Sequence, residues 1–255
     1  MTVQWDAQQY ARFSGSRGRP FHDLLARVAA EAPGEVVDVG CGSGELTATL
    51  ARRWPGARVR GLDPSPQMLA RAPRGAGVTF SPGTAEDFDA TGVDVVVSNA
   101  VLQWVPGHRE LVARWARQLP AGGWLAFQVP SNFDAPSHRL MRELAGTARW
   151  RERLDGVLRG AESVEAPAGY LEVLAGAGLE ADVWQTEYLH VLTGEDPVLE
   201  WVRGTGLRPV LAALPEDAAR EFTAQYAGLL RQAYPARPWG TAFPFLRTFA
   251  VARKP

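Results

Sequence analysis

Few architectures accommodate the stretch VVDVGCGSGELT at residues 36–47. An apolar run carries Asp38 near its end, glycines follow at Gly40, Gly42 and Gly44, and an amphipathic segment opens at Glu45. This is the pattern of a buried strand, a tight loop and a helix start, the βα turn that holds a nucleotide. Glycine is needed there because the backbone must take a positive φ or come close to a ligand. The first N–H groups of the helix then face polar ligand atoms. Glu45 stands where G-x-G-x-x-G would place its last glycine, so the loop lacks a clear seat for a dinucleotide pyrophosphate, and a nicotinamide dehydrogenase is disfavoured.

A second apolar segment, VRGLDPSPQML, ends its strand-like part in Asp63, about 20 residues past the loop. An acid at that strand tip can accept both hydroxyls of a ribose. The competing reading is a turn former or helix N-cap before Pro64. Strands are expected at 58–62, 78–81, 93–98 and 124–130, with helices at 21–32, 46–54, 67–71 and 110–119. Their alternation predicts an α/β fold with a doubly wound, mostly parallel sheet and ligands at the carboxyl ends of the strands. The continuous apolar run VDVVVS suits its buried centre. After Pro130 the rhythm changes: 132–178 and 195–234 read as mostly helical, and 179–191 and 242–253 as strands.

At 255 residues the chain suffices for one large domain. A formal charge of −1 gives no electrostatic bias towards nucleic acid. No stretch approaches the roughly 20 apolar residues of a membrane span, and the N-terminus has no signal-peptide pattern. The lone Cys41 excludes an internal disulfide and leaves no metal cluster, which makes a reducing cytoplasm the default. All but one of the 27 basic residues are Arg, a bias that reads as base composition, so only arginines in special positions carry an argument.

The acidic residue followed by G-x-G-x-G resembles the first motif of the class I S-adenosylmethionine (SAM)-dependent methyltransferases. That resemblance implies a seven-stranded Rossmann-like sheet whose last strand is antiparallel. It also implies a helical lid formed by 132–178 and 195–241 on a single domain, with an arm at 1–20 and a SAM-binding core at 21–131. Candidate cofactor contacts are Asp38, Gly40, Cys41 and Gly42 in the loop, and Asp63, Pro64 and Met68 after strand two. In GTAEDF, Thr84 stands where this class often has an adenine-reading Asp; its hydroxyl can accept from the exocyclic amine and the Ala85 N–H can donate to a ring nitrogen. Phe88 stacks beside the ring or fills core, with equal weight. Asn99 can accept from the methionine amino group through its carbonyl oxygen. Gln103 and Trp104 would shape the acceptor pocket, core packing being at least as good a reading for Trp104. The D/N-P-P-Y/F motif of nucleobase methylation is absent, which argues against a nucleic-acid acceptor.

The pattern W-D-x-x-x-Y-x-x-F-x-x-x-R-x-R-P from Trp5 to Pro20 resembles the trans-aconitate methyltransferase family. So do NAVLQWV at 99–105, PSHRLMRE at 136–143, DVWQTEYLH at 182–190 and WVRGTGLRP at 201–209. The resemblance implies a SAM-dependent carboxyl O-methyltransferase acting on a small polycarboxylate, with trans-aconitate the leading acceptor. A carrier-bound malonyl acceptor, or a SAM-binding module without small-acid activity, are the alternatives. Carboxylates with a pKa of about 4 are already anionic at neutral pH, so no general base and no metal are expected. Proximity and exclusion of water supply the acceleration, and Arg supplies bidentate donors for the remaining carboxylates. Arg17, Arg208 and Arg247 are the candidates for that role. Tyr10 and Arg19 are candidates for the SAM carboxylate. Tyr188 adds a neutral donor, as does His190; His138 is a further candidate for the acceptor, and both it and Glu143 match the family motif and equally suit a helix surface.

Overall fold

The structure, a computed structural model, describes residues 14–75 and 77–255, the side chains of 14–17 excepted. In chain order its elements are α1 (Ser14–Leu25), β1 (Glu35–Val39), α2 (Thr47–Arg53), β2 (Arg58–Asp63), α3 (Pro66–Leu69), β3 (Val78–Pro82) and β4 (Val95–Asn99). Then come α4 (His108–Gln118), β5 (Trp124–Pro130), α5 (Pro136–Ala145), α6 (Arg151–Leu154), α7 (Pro167–Gly176) and β6 (Glu180–Leu192). The chain ends through α8 (Pro197–Arg203), α9 (Arg208–Ala213), α10 (Glu216–Ala233) and β7 (Thr241–Arg253).

The seven strands run in the order β3-β2-β1-β4-β5-β7-β6. β1 pairs in parallel with both β2 and β4, Val37 standing between Arg60 and Val96. β7 runs antiparallel to β5, with Gln128 opposite Phe249 and Pro130 opposite Arg247. The chain reverses its direction of spread between β1 and β4, which is where doubly wound sheets open a crevice for ligands. Val36, Val37, Val95, Val96 and Val97 are fully buried, as β-branched residues covered on both faces should be.

Two compact units divide the chain: Gly15–Pro130, Ser163–Thr186 and Arg247–Pro255 form a sheet unit, and Ser131–Glu162 with Glu187–Leu246 form a helical unit. In the sheet unit, α4 buries Leu111, Val112, Trp115 and Ala116, one apolar stripe at helical spacing, into the main core. Tyr170, Val173 and Leu174 of α7 join the same core. The expected lid segment 132–178 therefore divides, its part from Ser163 onward belonging with the sheet. The helical unit has a separate core built on Trp150, Trp201, Phe222, Tyr226 and Phe243.

Two boundaries differ from expectation. The helix expected at 21–32 starts by Ser14 and ends at Leu25. Beyond it the hydrogen bonds tighten to Arg27–Leu24 and Val28–Leu25. Side chains at the end of α2 then take the carbonyls beyond it, Arg53 bonding Val28 O at 2.8 Å and Trp54 bonding Ala30 O at 2.9 Å. Strand β4 begins at Val95, and the side chain of Asp94 before it accepts the Gly34 and Glu35 N–H groups at 2.7 and 3.0 Å. Among the described residues no helix is long and apolar enough to cross a membrane.

Candidate functional site

In the sheet unit, the loop after β1 is built by its neighbours. Gly40 N and Cys41 N both donate to Leu62 O, at 2.7 and 2.9 Å. Gly40 has a φ of 80°, and a Cβ on it would collide with Val101. Gly42 also has a positive φ, 55°, yet a Cβ there would meet nothing within 4 Å. Space is thus closed beside the first glycine and open beside the second. Cys41 is held beside this loop, and burial pushes its thiol well above the ordinary range, so it is not a reactive thiolate.

Two carboxylates frame the loop. Asp38 is buried; its Oδ2 accepts from Thr47 Oγ1 at 2.6 Å, and its Oδ1 has no hydrogen-bond partner. Burial raises its pKa from 3.8 to about 7, opposed by the Thr47 bond and assisted by the charge of Asp63. Asp63 ends β2, and its two oxygens accept the backbone N–H groups of Gly42 at 2.9 Å and Ser65 at 2.8 Å. Asp63 thus organises the turn before Pro64, and each of its oxygens keeps a lone pair for a further donor. Burial raises its pKa in spite of those two bonds. Met68 is buried in α3, which Ser65 caps through Met68 N at 3.3 Å.

Asn99 ends β4, and Ala100 after it takes the left-handed conformation, φ 59°, rare for a residue with a Cβ. Asn99 Oδ1 accepts from Gln128 Nε2 at 2.7 Å, and Gln128 Oε1 accepts from Arg247 Nη1 at 3.0 Å. Arg247 is buried on β7 and reaches Asn99 through this relay. The carbonyl oxygen of Asn99 expected to face a ligand is thus already engaged once. The sequence signal of Gln128 is a lone Gln inside the apolar run WLAFQVP.

The remaining sheet-unit candidates take local roles. Thr84 Oγ1 donates to Asp87 at 2.8 Å and accepts the Asp87 N–H at 3.1 Å, which leaves it one lone pair. Ala85 is buried. Phe88 lies edge-on to Trp115 at 5.6 Å, which settles it as core. Gln103 is buried and donates to Ala100 O at 2.7 Å, bracing the left-handed turn. Trp104 is half-buried. Arg19 is exposed, with Nε 3.7 Å from Asp23. Tyr10 and the side chain of Arg17 lie outside the described residues.

In the helical unit, Tyr188 is buried with its ring parallel to that of His190, centroids 6.2 Å apart, and His190 in turn lies 4.7 Å from Trp201. These spacings make Tyr188 and His190 part of an aromatic stack. Glu143 pairs with Arg139 on the exposed side of α5. His138 is half-buried on α5, its Nδ1 3.2 Å from Ser137 Oγ, and Arg208 begins α9. Burial, with the charges of Arg142 and Arg159, lowers the His138 pKa from 6.5 to about 4.

Residues 37–127 match the family model described as a methyltransferase domain. The chain is 56% identical to the trans-aconitate 2-methyltransferase of Streptomyces coelicolor, over 98% of this chain and 87% of that one. It is 54% identical to the trans-aconitate 2-methyltransferase of Streptomyces avermitilis, over 98% and 97%. Among solved structures it resembles phosphoethanolamine N-methyltransferase 2 of Haemonchus contortus in complex with S-adenosyl-L-methionine. There the TM-score is 0.53 at 19% identity, covering 93% of this chain and 52% of that one, a likeness of fold.

Proposed function

Because the chain belongs to the trans-aconitate 2-methyltransferase family, we propose that it methylates one carboxylate of trans-aconitate, with SAM as donor and S-adenosylhomocysteine (SAH) and a monomethyl ester as products. The observation that carries this reading is relatedness over 98% of the chain, the helical unit included.

The sheet unit fits SAM in two respects. The space at Gly42 is open, and Asp38 presents a buried oxygen with no partner. SAM supplies a methyl group on a positively charged sulfur, which an incoming oxygen displaces in line. Asp38 Oδ1 can accept from an ammonium group, and the remaining lone pairs of Asp63 can accept ribose hydroxyls. The Asn99–Gln128–Arg247 relay fixes the amide of Asn99, leaving its NH₂ as donor and a second lone pair as acceptor. The acceptor carboxylate is ionised at neutral pH, so the chain's task is to orient it and exclude water, without removing a proton. The acceptor is a small molecule, and the lone Cys41 is in keeping with a reducing cytoplasm.

Purified protein with SAM and a panel of di- and tricarboxylic acids tests this. Strong SAH formation with trans-aconitate, and weak formation with the cis isomer, is the expected result. Tight SAM binding without turnover on any acid would overturn the acceptor assignment and leave the donor site standing.

A further inference from the structure

Helix α5 carries Arg142 besides the candidates His138 and Glu143. His138 and Arg142 are four residues apart and so share a face. The first turn of the helix is held on both sides of Ser137. Its N–H donates to Tyr234 Oη at 3.0 Å, and its carbonyl accepts from Tyr226 Oη at 2.6 Å. The segment leading into α9 packs on the same face: a Cβ on Gly206 would lie 3.3 Å from His138 Nε2 and 3.8 Å from Met141 Cε. Arg208 follows two residues later.

On that face Arg142 is poorly matched. Its Nη1 is buried with no hydrogen-bond partner, and its Nη2 lies 3.9 Å from Asp134, whose side chain is 90% exposed. Glu162 also feels the charge of Arg142, but it is exposed and accepts the Gly160 N–H at 2.8 Å. Arg159 is half-buried, and burial pulls its guanidinium down to about 10. The charges of both arginines reach His138, which stays neutral at physiological pH. A buried guanidinium N–H without an acceptor is costly, and an arriving carboxylate offsets that cost with charge-assisted, fork-shaped bonds.

We propose that Arg142 and Arg159, with His138 beside them, grip a carboxylate of the acceptor other than the one that is methylated, and so make the enzyme selective for a tricarboxylate. An acid lacking that carboxylate leaves Arg142 unmatched, the arrangement by which buried polar groups discriminate most strongly. The inference rests on trans-aconitate as acceptor, and it adds two arginines to that reading.

The test uses Arg142→Gln, Arg159→Gln and Arg142→Lys in the full chain, with SAH affinity measured first to show that each variant is folded. The KM for trans-aconitate is then measured, with glutaconate, itaconate and mesaconate as competing inhibitors, each being aconitate less one carboxylate. The expected result is a 10- to 100-fold rise in KM for either Gln variant, a smaller rise for Arg142→Lys, and unchanged SAH affinity. Inhibition by one of the three dicarboxylates, the one missing the gripped carboxylate, should change less than threefold. An unchanged KM in a parent enzyme that does turn over trans-aconitate overturns this inference alone. Equal weakening of all three dicarboxylates also overturns it, since the arginines would then read no particular carboxylate. A parent inactive on trans-aconitate removes the acceptor assignment and this inference together.

Discussion

The carboxyl of Asp38 has one oxygen bonded to Thr47 and the other without a partner, and burial lifts its pKa to about 7. In the ligand-free protein a raised pKa stabilises the fold below the unfolded value of 3.8. That contribution is lost as pH rises through about 7, because the buried group must then ionise. An ammonium ligand reverses the preference by favouring the carboxylate. SAH affinity should therefore be flat above about pH 7 and fall by up to about tenfold per unit below it, each proton exchanged costing one pH unit. Calorimetric titrations from pH 5.5 to 8.5 measure this, and Asp38→Asn should bind more weakly with the slope removed. A parent profile without a slope would show that Asp38 does not meet the ligand's charge. The importance of Asp38 was legible in the sequence because the signal is local: an acid, then glycines at fixed offsets. Gln128 was less legible because its role comes from a partner far along the chain, Arg247 on an antiparallel neighbour. The turn that Thr84 makes with Asp87 is local too, three residues long, and a Thr followed by an Asp at that spacing shows it in the sequence.

Helix α5 has no side-chain N-cap: Ala135 occupies that position and Pro136 opens the helix. The first-turn N–H of Ser137, one of the groups a helix leaves unbonded, is satisfied by Tyr234 from just beyond α10. Tyr234→Phe would leave that buried N–H unsatisfied, with an expected cost of about 1–3 kcal/mol in urea unfolding. Because α5 carries His138 and Arg142, the same change should raise the KM for acceptor while leaving SAH affinity near that of the parent. An unaltered KM would separate the anchoring of α5 from acceptor binding. The helix itself could be read from its sequence, since Pro136 fixes its start and Leu140, Met141 and Leu144 set its apolar side. The tyrosine anchor could not, because it joins residues about 90–100 positions apart.

The division of the chain into a sheet unit and a helical unit gives the two ligands different expected footprints. In hydrogen exchange, SAH alone should protect the loop after β1, the end of β2 and the turn after β4, all within the sheet unit. Trans-aconitate added afterwards should slow exchange in α5 and in 204–210 of the helical unit. Protection by trans-aconitate confined to the sheet unit would contradict the assignment to Arg142 and Arg159. Most of this architecture could be anticipated: Trp124–Pro130 is recovered to the residue because a continuous apolar run between Gly123 and Ser131 admits little else. The membership of α7 could not be, since a Pro- and Gly-punctuated helical stretch does not say which core its Tyr170 will enter. The order of the strands also bears on how the chain is made. β7 follows β6 in the chain, yet it lies between β5 and β6. Until residues 241–253 leave the ribosome, two strand edges stand unpaired and the sheet cannot close, so a nascent chain must hold a gap open rather than fold from front to back. A premature stop before Arg247 would remove the wedge that completes the sheet and, in the same stroke, the anchor of the Asn99 amide.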